Sequence, residues 1–229
     1  MDAANETQLK GLQLLQERYS DPILTGLTVL LLVMMFVIAS LQAADVIVFE
    51  AFGLVVAIGM VLGVLVMSRS PVAFILITVA VAMNAVGAVL RFHQLSTFDV
   101  YLVSAAWLLM AMTLGWVVRR AGLRQGPRHR VIGAVLLYLL IALFFVAAFA
   151  FVGLVIPNAF QGIKIEDSTA LASNLIYFSF VTLTSTGYGD VLPDHPIARS
   201  LCNVETIIGQ LYPPTLLARL VSLELKGRK

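Results

Sequence analysis

This sequence is short of charge. Asp, Glu, Lys and Arg make up 12% of its 229 residues, and hydrophobic residues make up 60%, whereas a soluble domain is nearer a quarter charged. The formal net charge is only +2, which gives no electrostatic footprint for nucleic acid, and no nucleic-acid partner is expected. Cys202 is the single cysteine; it excludes an intrachain disulfide and leaves the redox compartment unread. His129 and His195 fall in loops and His93 is isolated. No pair has metal-ligand spacing, so no metal-binding centre or cofactor is assigned. No acid–base or nucleophile constellation stands out, which argues against an enzyme. A cleavable signal peptide is not expected, because the first apolar run is too long and follows a mixed-charge segment.

What the sequence does have is long apolar runs. Several reach about 20 residues, enough for a helix to cross a ~30 Å hydrocarbon layer. Inside lipid every backbone amide needs an internal partner, which a helix provides. The expected fold class is therefore an all-α membrane protein with six transmembrane helices. Residues 1–21 carry a stripe of Leu9, Leu12, Leu15 and Tyr19 flanked by Lys10 and Arg18, the pattern of an amphipathic helix on the membrane surface. Residues 22–118 form a four-helix domain. Its first span opens at Pro22, tolerated in a first turn, and ends near Ala44; the next ends near Met67. The third runs from about Val72 to Leu90 and the fourth from Val100 to Val118.

A basic linker, 119–130, leads to residues 131–229. The fifth span covers Val131 to Ile156, and the sixth runs from Ile197 to Leu223. Between them, Thr169 to Leu183 is apolar for only about 15 residues, too short to cross and typical of a re-entrant segment. Orientation follows from the basic residues. With six spans, only Arg91, Lys164 and Arg199 of the 15 Lys and Arg fall on one side. The positive-inside rule then puts both termini in the cytoplasm, and the re-entrant segment enters from outside.

After that segment comes Thr182-Leu183-Thr184-Ser185-Thr186-Gly187-Tyr188-Gly189-Asp190. This resembles the potassium-channel signature TVGYG within TxxTxGYGD, and the resemblance covers about residues 131–223. A dehydrated potassium ion needs oxygens to replace its water, and rings of backbone carbonyls can supply them when four chains point them at one axis. Such a backbone alternates between right- and left-handed conformations, and glycine takes the latter without steric penalty. Gly187 and Gly189 suit that role. The resemblance implies that the carbonyls of Ser185, Thr186, Gly187 and Tyr188 bind potassium and that the Ser185 hydroxyl adds the innermost oxygen. Gly189 completes the filter loop. Thr182, Thr184, Asp190, Tyr177, Phe178 and Glu205 become its supports, with Tyr177 and Phe178 as an aromatic cuff. Asp167 or Ser168 would cap the pore helix, whose carboxy-terminal dipole suits a cation.

The pattern departs from the family in three places. Ser185 stands where threonine is commoner; it keeps the oxygen and loses the methyl that restrains the rotamer. Thr186 stands where valine is commoner, and its hydroxyl needs a partner if dry. Val181 stands where some relatives carry a carboxylate, so that link to Asp190 is absent. In the sixth span Gly209 is either a gating hinge or a close-packing residue. Pro213 and Pro214 are expected to kink the helix. Thr206, Gln210, Pro213 and Leu217 share one face and are candidate cavity-lining residues. Glu205 lies inside the helix. It either braces the pore helix through Ser179 or Thr182 or is simply protonated.

Six spans with the pore in the last two are similar to a voltage-gated channel, but Val100 to Val118 holds no arginine or lysine. Sensing needs charge inside the field, at about 2.3 kcal/mol per charge per 100 mV. The resemblance is thus to a bacterial-type six-transmembrane potassium channel whose sensor-like domain lacks gating charges, with no ligand-binding domain after residue 223. The expected function is passive potassium-selective conduction by a homotetramer in the bacterial inner (plasma) membrane, without steep voltage gating. A weakly selective monovalent cation channel is the alternative within channels, and a secondary cation transporter the alternative outside them. In the linker, glycine (Gly122, Gly126) and proline (Pro127) oppose one continuous helix, at about 1 and 3 kcal/mol. Each four-helix domain is therefore expected beside its own pore helices, without exchange between subunits. Arg119, Arg120, Arg124, Arg128 and Arg130 would lie at anionic lipid headgroups, worth about 1 kcal/mol each, or serve topology alone.

Overall fold

A computed structural model describes residue 22 and residues 24–46, 52–68, 70–92, 98–122, 127–163 and 170–227. The amphipathic segment 1–21, the linker centre with Arg124, and the pore-helix caps Asp167 and Ser168 lie outside the described residues. In chain order the helices are α1 (Leu24–Ala43), α2 (Phe52–Met67), α3 (Pro71–Phe92), α4 (Phe98–Gly122) and α5 (Pro127–Val155). A short strand β1 (Phe160–Gln161) follows, then α6 (Leu171–Leu183), β2 (Leu192–Pro193) and α7 (Pro196–Gly227).

The chain is mostly helical and membrane-embedded. Among the described residues, three helices are long and apolar enough to cross a membrane: Leu24–Ala43, Tyr101–Arg120 and Val131–Val155. They correspond to the first, fourth and fifth expected spans. Val55–Leu65 and Pro71–Gly87 are apolar but shorter. The last helix, α7, is 32 residues long, but Arg199, Asn203, Glu205, Thr206 and Gln210 dilute its hydropathy.

Helix α1 shows how an all-apolar helix divides its faces. Leu24, Leu27, Leu31, Met35 and Ala39 form a buried seam, while Val29, Leu32, Val33 and Val37 are exposed. Residues Val33–Ile38 are π-helical, a wide turn that often marks functional positions. It sets Phe36 against α6, with the Phe36 and Phe180 rings 4.7 Å apart. The main core joins this seam to Met60 and Val64 of α2, Ile77 and Ala80 of α3, Met110 and Leu114 of α4, and Leu136 and Leu140 of α5. Helix α4 packs along both α3 and α5, and the end of α1 packs on α6. The four-helix unit therefore touches this chain's own α5 and α6.

A second core is aromatic. Phe149 of α5, Phe160 of β1 and Phe178 of α6 meet pairwise, with centroids 4.9, 5.5 and 5.7 Å apart. Such pairs add about 0.5–1.5 kcal/mol each beyond their buried area. The antiparallel pair β1–β2, in register Phe160↔Pro193 and Gln161↔Leu192, sits beside it. The amides of Asp194 and His195 donate to the Ala159 carbonyl at 2.9 and 3.2 Å. This clasp ties the segment after α5 to the segment before α7, and so fixes both ends of the intervening α6 and loop.

Candidate functional site

The site is the loop from Thr184 to Asp190. Helix α6 ends at Leu183, and a left-handed turn at Ser185 closes it by bonding its last carbonyls. The amide of Thr184 donates to Phe180 O at 3.0 Å, that of Ser185 to Thr182 O at 3.0 Å, and that of Thr186 to Val181 O at 2.9 Å. From there the backbone alternates. Ser185, Gly187 and Gly189 have φ of 56°, 59° and 85°, while Thr186 and Tyr188 between them are absent from the positive-φ residues. Gly187 and Gly189 take left-handed φ at no steric cost. Ser185 does not, because a non-glycine residue there pays about 1–2 kcal/mol. Nothing in the sequence marks Ser185 for that conformation.

The loop is held from behind. Thr186 and Thr184 place their hydroxyls 2.8 Å apart, and Thr184 Oγ1 donates to Phe180 O at 2.6 Å. The unusual hydroxyl of Thr186 therefore has the partner it needs. Tyr177 and Phe178, adjacent in sequence, part company. Phe178 is buried in the aromatic core, 3% exposed. Tyr177 faces the loop, donates its phenol to Asp190 Oδ2 at 2.8 Å and stacks on Tyr188 with centroids 6.2 Å apart. With Val181 in the carboxylate position, Asp190 is thus tethered by a phenol one turn earlier. Gly162 backs the same residue: its φ is +83°, and a Cβ there would overlap the Asp190 carbonyl. A cavity of about 350 Å³ opens between α1 and α6, lined in part by Phe36, Ser40, Val181, Thr184 and Tyr188.

Helix α7 closes the other side. Glu205 is 0% exposed. Its Oε1 accepts from Ser179 Oγ at 2.6 Å, and Ser179 lies 3.0 Å from the Ala142 carbonyl of α5. Glu205 Oε2 has no partner among the described residues. Thr182 meets Thr206, which donates to its carbonyl at 3.3 Å. A Cβ on Gly209 would overlap the Leu183 carbonyl, so α7 approaches α6 as closely as a glycine permits. Gln210 Nε2 donates to Ser185 Oγ at 2.8 Å. Helix α7 continues through Pro213 and Pro214. Just before them Tyr212 donates to Ala134 O at 2.9 Å and stacks on Tyr138 at 5.8 Å. Leu217 is 63% exposed and makes no part of the loop's support.

Residues 135–225 match the family model described as Ion channel. Over these residues the chain is similar to an ion-channel pore module. No curated protein and no solved structure matches the chain significantly.

The matched segment takes in most of α5, all of α6, the loop and nearly all of α7. The four-helix unit lies outside it. There, α4 has Arg119 and Arg120 in its last turn, where cations suit the helix dipole. Arg120 lies 4.1 Å over the Trp116 ring. Arg128 and Arg130 fall at the start of α5.

Sequence reasoning missed four things about the pore module: the phenol tether on Asp190, the backing role of Gly162, the left-handed Ser185 and the Gln210–Ser185 bond. Only Gly162 left a sequence signal, a glycine in a polar turn.

Proposed function

We propose that the chain is one subunit of a homotetrameric potassium-selective channel, with the loop Ser185, Thr186, Gly187, Tyr188 and Gly189 as one quarter of its filter. The observation that carries this is the alternation of positive φ at Ser185, Gly187 and Gly189. Alternating backbone handedness turns successive carbonyls to one side, the arrangement that a carbonyl-lined ion path requires. Potassium is then the transported ion, bound by the carbonyls of Ser185, Thr186, Gly187 and Tyr188 and by the Ser185 hydroxyl. A tetramer also accounts for exposed apolar surface. Tyr188 is 71% exposed in the single chain, and Val204, Ile207 and Leu211 of α7 are 49–58% exposed.

In this reading the chain crosses the bacterial inner membrane six times, with α6 re-entrant and both termini cytoplasmic. The four-helix domain stays beside its own pore module, a reading supported by the contacts of α1 and α4 within the chain. It does not gate steeply with voltage, because the interior of α4 carries no basic residue. The linker arginines, Arg119 to Arg130, lie at the cytoplasmic headgroups. Flux that rises or falls with anionic lipid content supports a modulatory role for them, and indifferent flux leaves them topology alone.

The deciding experiment is the reversal potential of the purified protein in planar bilayers under opposed potassium and sodium gradients. A potential near the potassium equilibrium value, lost on Gly187→Ala, supports the proposal. A potential near zero identifies the weakly selective cation channel. Flux without measurable current points to a transporter. Potassium selectivity unchanged by Gly187→Ala refutes the filter assignment.

A further inference from the structure

We propose that Gln210 is the positioning residue of the innermost ion site, replacing by a hydrogen bond the restraint that the missing methyl of Ser185 would have supplied. The inference rests on the filter reading above and adds a role for α7 in ion binding.

A serine side chain has one torsion and three staggered wells. A threonine is stiffer, because its second Cβ substituent restricts that torsion. If the Ser185 oxygen caps the ion path, only one well presents it there, and serine alone does not select that well. In this chain the selection comes from α7. Gln210 Nε2 donates to Ser185 Oγ at 2.8 Å, inside the ordinary hydrogen-bond range. The amide takes one of the two lone pairs of the hydroxyl and leaves the other, together with the proton. One oxygen can therefore be fixed by Gln210 and still face an ion.

The glutamine is delivered to the site by two further contacts. One turn earlier, Thr206 donates to the Thr182 carbonyl at 3.3 Å. Immediately before Gln210, Gly209 meets the Leu183 carbonyl where any side chain would collide. Helix α7 therefore grips the end of α6 at Thr182 and Leu183 and the start of the loop at Ser185. The oxygen orientation at the filter base then depends on where α7 stands, which couples the inner helix to the innermost site.

The size of the effect follows from counting. Four hydroxyls, each released into three equal wells, present all four oxygens together about 80-fold less often. Unequal wells reduce this, so a loss between roughly fivefold and 80-fold is expected when the bond is removed.

Barium tests this, being a divalent ion of nearly potassium size that occupies the same oxygen cage. Block by barium from the cytoplasmic side is measured in planar bilayers on four proteins: wild type, Gln210→Leu, Ser185→Thr and the double variant. Gel filtration checks tetramer assembly. The proposal expects Gln210→Leu to weaken block by roughly fivefold to 80-fold when Ser185 is present. The same substitution is expected to weaken it by less than about twofold on the Ser185→Thr background, since the methyl then holds the rotamer. Equal losses on both backgrounds, or no loss on either, overturn it. If Gln210→Leu assembles but does not conduct, recovery of current in the double variant supports the proposal, and a silent double variant beside a conducting Ser185→Thr overturns it. A wild-type protein with no barium-sensitive potassium current refutes the channel reading itself, a result distinct from any of these.

Discussion

Gly209→Ala separates a packing contact from a gating hinge, because only the packing contact forecasts a loss of stability. An alanine Cβ at this position overlaps the Leu183 carbonyl oxygen and lies 2.7 Å from its carbon and 3.1 Å from Leu183 Cα. All three atoms are backbone, so relief requires moving α7 away from α6. Overpacking of this kind costs about 1–3 kcal/mol, and an immovable neighbour puts it at the upper end. Against it stands a gain of about 1 kcal/mol from replacing glycine in a helix. The net loss expected is about 2 kcal/mol per subunit, near the factor of 30 that such a difference commands.

Gly133→Ala in α5 is the matched control. Its added Cβ meets only Val118 Cγ1, at 3.8 Å, an ordinary contact, so that variant is expected to keep the propensity gain of up to about 1 kcal/mol. Thermal dissociation of the detergent-solubilised assembly reads both. Retreat of α7 also loosens Thr206 from Thr182 and Gln210 from Ser185, so potassium flux into liposomes is expected to fall with stability in Gly209→Ala. If Gly209→Ala is as stable as Gly133→Ala and conducts normally, the close approach is not what this glycine serves.

Ser179→Ala removes the hydroxyl that meets Glu205 Oε1 at 2.6 Å and leaves a buried carboxyl without a donor; a loss of about 1–3 kcal/mol in thermal unfolding is expected, and wild-type stability would count against the brace. Thr186→Val removes the hydroxyl contact with Thr184, for an expected loss of about 1 kcal/mol, read as faster decay of current at low potassium; unchanged decay would refute a supporting role. Tyr177→Phe removes the donor to Asp190 at 2.8 Å, and faster current decay is expected there too, whereas Phe178→Leu is expected to show chiefly as lost thermal stability. Conductance is expected to respond to voltage with less than about one elementary charge per subunit, and a measured value of several charges would show that sensing charge lies elsewhere in the chain.

The chain's own order of residues determined the class of solvent it folds in. A 12% charged chain with apolar runs of membrane length must satisfy its backbone internally, and helices follow whatever the neighbours are. The short helix α6, the breaks at Ser68 and Pro157 and the glycines at 187 and 189 are equally local: run length, turn chemistry and permitted φ announce them without any packing partner. Which face of α1 turns inward was not legible, because Leu24, Leu27, Leu31 and Met35 are as apolar as the exposed Val29 and Leu32, and in lipid the alternation that marks a core disappears.

The supports of the loop belonged to tertiary structure for a related reason. Tyr177 and Phe178 are neighbours of similar size, and only the position of β1 and α5 sends one ring to the core and the other to Asp190. Ser185 adopts a left-handed φ with a local helix-end bond to Thr182 O, whereas its hydroxyl is held by Gln210, 25 residues along the chain. Local sequence sets what a backbone can do and how a helix can end; the orientation of a side chain such as that of Ser185 is fixed by contacts from elsewhere in the fold, and those exist only once α7 has docked on α6.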